Sequence, residues 1–86
     1  MLRIISETDI DGIERFRLDG RLAEAYVGEL GRVLGPSLAV SGHVVLDVSG
    51  LTYVDADGAR LLKELLAKRV RIHGCSSFVA HLLGIP

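Results

Sequence analysis

Residues 53–58, with the sequence YVDADG, place two carboxylates and a glycine where the chain changes its pattern. The apolar run HVVLDVSGL precedes them and the leucine-rich run ARLLKELLAK follows them. A strand that hands over to a helix at this point would bring carboxylates next to unpaired backbone N–H groups. Such corners can hold phosphates, metal ions or modified side chains. What this corner does is therefore the first question that the sequence raises.

The corner residues also have ordinary structural roles. Asp55 is placed to cap the next helix by accepting a hydrogen bond from the backbone N–H of Asp57 or Gly58. Asp57 would then lie in the first helical turn, where a negative charge suits the helix dipole. The helical spacing that follows predicts a buried apolar face formed by Ala59, Leu62, Leu65 and Leu66. It predicts an exposed face formed by Arg60, Glu64 and Lys68.

A magnesium site or an aspartate phosphoacceptor is the alternative chemistry for this region. Asp47, Asp55 and Asp57 could supply the carboxylate oxygens that Mg²⁺ prefers. Asp47, near the end of its apolar run, also resembles the acceptor of a phospho-receiver domain. However, the D-x-D-G pattern alone is common turn chemistry, and 86 residues are short for a receiver. We therefore expect neither a metal nor a cofactor here.

Upstream of the corner, the pattern predicts two strands and a helix. Leu2–Glu7 is β-prone, and Ile13–Leu18 alternates between apolar and charged residues, which indicates a hairpin. Asp19-Gly20 is expected to end the second strand, and helical spacing begins at Leu22. Gly35-Pro36 should stop this helix, because proline lacks the backbone donor that a continuing helix needs.

The middle of the chain predicts a central strand. Val44–Val48 shows almost no alternation, which is typical of a strand covered on both faces. Leu51–Val54 is expected to be a short crossing towards the corner.

In the preceding helix, Gly28 and Gly31 lower the helix propensity, and their small size could let that helix lie close to the sheet.

The end of the chain predicts a last strand and a last helix. Arg69–His73 alternates, and Ser76 or Ser77 can cap a short helix that Gly84 ends. The predicted order is thus β-β-α-β-α-β-α. Strand–helix alternation of this kind indicates an α/β fold with a mixed four-stranded sheet packed with about three helices.

Composition narrows the possible functions. The chain has 86 residues, which suit one domain over residues 1–86, and a net charge of −1. No run of Lys and Arg exceeds two residues, so we expect no nucleic-acid partner. The single cysteine, Cys75, favours a reducing compartment. Neither a signal peptide nor a membrane-length apolar run is visible, so we expect a cytoplasmic protein without membrane insertion.

Most of the chain resembles one family. VVLDVSGLTYVDADGARLLKELL, followed by RVRIHGCSSFVAHLLGI, is similar to the STAS domain, the family of sulfate transporters and anti-sigma-factor antagonists. The segment LDGRLA, residues 18–23, resembles the pattern in which an N-terminal strand of that family ends. The resemblance implies a single STAS-like domain that binds proteins, takes part in bacterial signalling and transcription regulation, and is not an enzyme.

The family's Asp-Ser-Ser/Thr-Gly motif falls on Asp55-Ala56-Asp57-Gly58. In antagonists that are switched by phosphorylation, a partner kinase modifies the serine that follows the aspartate. Here that position is Ala56, which has no hydroxyl, so the resemblance implies no phosphoacceptor in this chain. The acidic residue expected after the Gly-x-Leu pattern is also replaced, by Ala23. Asp57 could act as a weak, permanent mimic of a phosphate, but we favour a role at the helix start.

The resemblance also implies which surface meets a partner. We expect a partner-binding surface formed by Asp55, Ala56, Asp57, Gly58, Arg60, Lys63 and Glu64. The partner could be an anti-sigma kinase, a larger stress-signalling assembly or an ATPase of a lipid-transport system. An exposed sheet edge would also allow two copies to pair, so a homodimer stays open.

Overall fold

The computed structural model describes residues 1–40 and 43–84, and these follow the predicted order β-β-α-β-α-β-α. Ile85, at the end of the final family-like segment, lies outside the described residues. The strands are β1 (Leu2–Thr8), β2 (Glu14–Leu22), β3 (Val44–Val54) and β4 (Arg71–His73). The helices are α1 (Ala25–Val40), α2 (Ala56–Ala67) and α3 (Ser77–Leu83).

The four strands form one mixed sheet in the order β1-β2-β3-β4. β1 and β2 are antiparallel, since a tight turn joins them, whereas β2, β3 and β4 run parallel. Parallel neighbours need crossover connections, and α1 and α2 provide them. The α/β class and the mixed four-stranded sheet are therefore confirmed.

The hydrophobic core lies on one face of the sheet. Val44, Leu46 and Val48 of β3 are buried there, in a single cluster with apolar residues of all three described helices. Val45 and Asp47 alternate with them, are only half buried and line a concavity on the opposite face. The expectation that β3 is covered on both faces is therefore wrong. The run lacks alternation because Val45 is apolar on a face that the described helices leave open.

Strands β2 and β3 continue further than the sequence pattern suggests. Asp19-Gly20 lies inside β2, and Leu51–Val54 belongs to β3 rather than to a crossing. The pairing between these strands shifts register on both sides of Asp19-Gly20, as at a β-bulge. Gly20 adopts a φ of +106° next to the carbonyl oxygen of Met1, which a side chain would meet at 2.3 Å. The local turn signal is therefore used to bend a strand and not to end it.

Helix α1 continues through Gly35-Pro36, so the predicted stop is wrong. Pro36 is exposed, and the carbonyl that loses its helical partner belongs to the exposed Arg32, where water can replace the bond. Leu34 is buried in the core and Leu38 packs against it, which favours continuation of the helix. Local chain preference is thus outweighed by burial on the other side of the helix.

The glycines of α1 do not bring it close to the sheet. A Cβ atom at Gly31 would meet nothing within 4 Å, and one at Gly28 would meet only the guanidinium of Arg32, at 3.9 Å. Both residues instead line a groove between α1 and α2.

None of the described helices has the length and apolarity needed to cross a membrane.

Candidate functional site

Asp55 connects the start of α2 to the start of α1. It caps α2 in an extended conformation, and its Oδ1 atom accepts a hydrogen bond from the backbone N–H of Gly58 at 2.7 Å. Its Oδ2 atom accepts a second bond, from the backbone N–H of Glu24 at 2.9 Å. The cap predicted from the sequence is confirmed, and the bond to Glu24 adds a contact between residues 31 positions apart. One carboxylate therefore holds two helix starts in a fixed relation.

The backbone around Asp55 approaches the end of β2 closely. The backbone N–H of Asp55 donates to the carbonyl of Leu22 at 3.1 Å. A Cβ atom at Gly58 would lie 2.5 Å from that same carbonyl oxygen and 3.0 Å from a methyl group of Val54. Only glycine fits at this point, because any side chain would displace the strand end. Gly58 is consequently buried, while Asp57 beside it is exposed.

Glu24 is the residue of this region that the sequence does not reveal. Its φ of +57° lies in the left-handed region, which is unusual for glutamate. This conformation accompanies the hydrogen bond from its N–H group to Asp55 and leaves its side chain exposed. Only the long-range contact with Asp55 marks the residue, so no local sequence signal could have found it. Glu24 and Asp55–Gly58 together form the corner as the structure shows it.

A groove of about 420 Å³ runs from the corner between α1 and α2. The small and apolar residues Val27, Gly28, Gly31 and Leu61 line it together with the charged residues Glu24, Asp57, Arg60 and Glu64. Arg60 and Asp57 pair at 2.9 Å, with side chains that are 69% and 66% exposed. Three carboxylates against one guanidinium leave the groove acidic. This groove and the corner together form a continuous exposed surface.

The structure brings together most of the predicted partner-binding residues. Ala56 is exposed at the first position of α2, and three predicted residues line the groove, namely Asp57, Arg60 and Glu64. Lys63 is exposed on α2 but lies outside the groove lining. Asp55 and Gly58 serve to build the corner, and their backbone and carboxylate contacts position the others. The role of these residues in binding stays a prediction.

Hydrogen bonding holds the Asp55 carboxylate in its charged form. The backbone N–H of Glu24, followed by that of Gly58, lowers the pKa of Asp55. Both oxygens of the carboxylate accept backbone hydrogen bonds. Asp55 is thereby committed to a structural contact and is poorly suited to transfer protons.

Asp47 belongs to a different surface. Its Oδ1 atom accepts a hydrogen bond from the backbone N–H of Ser49 at 2.9 Å. The Ser49 backbone and hydroxyl lower the pKa of Asp47, and the charges of Arg17 and His73 act in the same direction. Asp47 and His73 both line the open concavity of the sheet, away from the groove. Within residues 1–40 and 43–84, no three acidic, histidine or cysteine side chains are grouped so that they could hold a metal ion.

An exposed cation–π pair lies close to the corner. The guanidinium carbon of Arg21 is 4.4 Å from the ring centroid of Tyr53, which is 40% exposed. The two residues are register partners in β2 and β3, immediately before the strands end. The stacking of Tyr53 on the arginine of the neighbouring strand becomes visible only from the strand register.

Comparison with known proteins identifies one family, and the similar solved structures include the following two. Residues 5–83 match the family model of the STAS domain. The chain is similar to the crystal structure of an antisigma-factor antagonist STAS domain from Rhodobacter sphaeroides, with 27% identity and a TM-score of 0.65 over 86% of this chain and 87% of that one. It is also similar to an uncharacterized DUF3478-family protein with a SpoIIAA-like fold from Shewanella loihica. That match has 21% identity and a TM-score of 0.59, covers 90% of this chain and 69% of the other, and shows the fold alone. No curated protein matched the sequence.

Proposed function

Because the chain belongs to the STAS domain family, we propose that it is a non-enzymatic, cytoplasmic protein-binding module of bacterial signalling. The corner and the groove meet a protein partner. The observation that carries this proposal is the double hydrogen bond of Asp55, which fixes two helix starts and presents an exposed surface beside them. The similarity to an antisigma-factor antagonist STAS domain supports the proposal of a protein-binding module.

The partner's surface should complement the groove in charge. Asp57 is already paired with Arg60, whereas Glu24 and Glu64 make no ion pair with any described residue. Basic side chains on the partner would face these two carboxylates. An apolar ridge would fit between the helices, where Val27 and Leu61 lie beside two glycines.

Binding is constitutive in this proposal. Ala56 occupies the position where switched members of the family carry the phosphorylated serine, and it is exposed at the start of α2. An exposed hydroxyl there would be reachable by a kinase, but alanine offers none. Asp57 supplies one permanent charge, and its contact with Arg60 suits a helix start better than a substitute for phosphate.

The partner's class decides between two branches of this function. A kinase or a sigma-regulatory protein would make the chain an antagonist that phosphorylation at position 56 cannot switch. A larger stress-signalling assembly or a lipid-transport ATPase would make it an assembly subunit. No observation favours an aspartate phosphoacceptor or magnesium site, since Asp47 and Asp57 line separate concavities.

Affinity capture from the host's lysate with a charge-reversed variant tests the proposed surface. We expect a protein that wild type retains and Arg60→Glu loses. Folding should survive, because Arg60 is 69% exposed and a surface ion pair contributes about 1 kcal/mol at most. Arg3→Glu is the matched control, since Arg3 is exposed on the open face of the sheet. Identical capture by all three proteins would rule out the corner and groove as the binding surface.

A second experiment tests the role of position 56. Wild type and Ala56→Ser are incubated with the captured partner and magnesium ATP, and their intact masses are measured. If the partner is a kinase, only Ala56→Ser should gain a phosphate, and the modified variant should lose partner binding. Phosphate on the wild-type chain would show that another residue is the acceptor and would contradict constitutive binding.

A further inference from the structure

A second concavity lies at the opposite end of β3 from the corner. It has a volume of about 160 Å³ and is lined by Ile13, His43, Val44, Val45, Arg69 and Arg71. Two arginines and one histidine thus line this concavity together with three apolar residues. No carboxylate belongs to this lining. The cluster is therefore cationic, in a chain whose net charge is −1.

Arg69 occupies a backbone position that usually belongs to glycine. The N–H of Arg69 bonds the carbonyl of Leu66, and the N–H of Val70 bonds the carbonyl of Leu65, which together form a Schellman motif at the end of α2. The residue after the cap of this motif is left-handed, and here it is Arg69, with a φ of +67°. By contrast Gly84, at a φ of +73°, ends α3. Arg69 thus stands where glycine is conformationally favoured, which makes its side chain a candidate for a functional role.

Among residues 1–40 and 43–84, the arginines of this concavity have no acidic partner. Within the described part of the chain, neither Arg69 nor Arg71 forms an ion pair. The carboxylate of Glu14, on the strand beside Val44, accepts a hydrogen bond from the hydroxyl of Ser37 and does not line the concavity. Arg15, in register with Val45, is engaged with Asp9 at 2.7 Å. The two guanidinium groups are therefore available to an external anion.

We propose that Arg69 and Arg71, together with His43, form a binding site for a phosphate group on a ligand. Guanidinium groups hold phosphate oxygens through paired, charge-assisted hydrogen bonds, and two of them can share one phosphate. The half-buried Ile13 and Val45 form an apolar surface next to that phosphate. The site shares no lining residue with the groove, so its test does not depend on the proposed partner surface.

Titration with inorganic phosphate and pyrophosphate, followed by NMR of the ¹⁵N-labelled protein, tests the site. We expect saturable shifts of the amides at residues 43–45 and 69–71, with sodium chloride at equal ionic strength as the reference. Arg69→Gly should weaken pyrophosphate binding about tenfold, as expected for the loss of one charge-assisted contact. The same variant should unfold at a higher temperature, because glycine suits the left-handed position. A loss of binding can then not be attributed to a loss of folding.

Arg32→Ala is the matched control, since it removes an equal charge from the exposed face of α1. It should leave pyrophosphate binding unchanged. Equal weakening by Arg32→Ala, shifts that chloride reproduces, or no effect of Arg69→Gly would each overturn the proposal.

Co-sedimentation with vesicles identifies the source of the phosphate. Vesicles of phosphatidylcholine alone are compared with vesicles that also contain phosphatidylglycerol. Retention by the second kind, lost in Arg69→Gly, would assign the site to a lipid headgroup. Pyrophosphate binding without such retention would assign it to a soluble phosphorylated ligand. Absence of both would overturn the site.

Discussion

At the scale of single residues, Asp55 does two things that its sequence context suggests only in part. The local pattern places it as the cap of α2, and the structure confirms the bond from Gly58. The bond from Glu24 depends on the chain returning beside β2 after 31 residues, which no local pattern contains. Asp55 thus also links two helices, although its sequence context resembles only the first position of a phosphorylation motif.

Replacing Asp55 tests this link between the two helices, because the stability that the link contributes should depend on pH. Backbone donors lower the pKa of Asp55 in the folded protein, below the ordinary aspartate value of about 3.9. The stabilisation is therefore fully present above about pH 4 and is lost as the pH falls through the folded-state pKa. We expect Asp55→Ala to lower the melting temperature at pH 7 by about 5 °C. The difference from wild type should shrink between pH 5 and pH 2 in thermal scans.

Asp57→Ala is the control for this measurement. Among the described side chains, the Asp57 carboxylate bonds only to the exposed Arg60, so the loss of stability at pH 7 should be smaller. If the two variants lose the same stability at pH 7, Asp55 does not link the two helices as the structure indicates.

At the scale of elements, the sequence predicts which segments are helices and strands better than it predicts where they end. The period of α2 correctly places Ala59, Leu62 and Leu65 in the core, because side-chain spacing follows directly from helical geometry. The predicted ends of β2 and α1 were wrong because glycine and proline, here Gly20 and Pro36, are residues that often interrupt a strand or a helix locally. Strand pairing and core burial outweigh those signals, and both depend on segments distant in the sequence.

The two helical glycines Gly58 and Gly31 should respond oppositely to alanine. Gly58→Ala would place a Cβ atom 2.5 Å from the carbonyl oxygen of Leu22, and we expect the free energy of unfolding to fall by about 2 kcal/mol. Gly31→Ala meets nothing within 4 Å, and its better helix propensity should raise the free energy of unfolding by about 1 kcal/mol. Urea denaturation measures both. A loss of stability in Gly31→Ala would mean that α1 packs more closely there than the structure indicates.

At the scale of the whole molecule, the three helices in the described part of the chain cover one face of a mixed sheet and leave the other face open. Parallel strands are usually covered on both faces. On the open face of this sheet, charged side chains alternate with apolar ones, which keeps that face compatible with water. Arg17 lies between Ile5 and Asp47 in the strand register, and His73 follows on β4. The candidate partner surface and the proposed phosphate site lie at opposite ends of the central strand β3.

Hydrogen exchange should reveal this layered organisation. The amides that pair β2 with β3 lie in the middle of the sheet above the core, so their opening requires global unfolding. We expect them to exchange about 100-fold more slowly than the paired amides of the edge strands β1 and β4, which corresponds to about 3 kcal/mol. Native-state exchange measured by NMR tests this order. Equal protection across all four strands would show that the sheet opens as one unit.

The sequence by itself determined the element order, the amphipathic phase of α2, its aspartate cap and the absence of a hydroxyl at position 56. These properties depend on neighbours within one or two turns of the chain. Only the tertiary structure decided the bond between Glu24 and Asp55, the acidic groove and the grouping of Arg69, Arg71 and His43. Each of these joins segments that are far apart in the chain. Their positions follow from strand register and helix packing, which are set by the burial of the whole core.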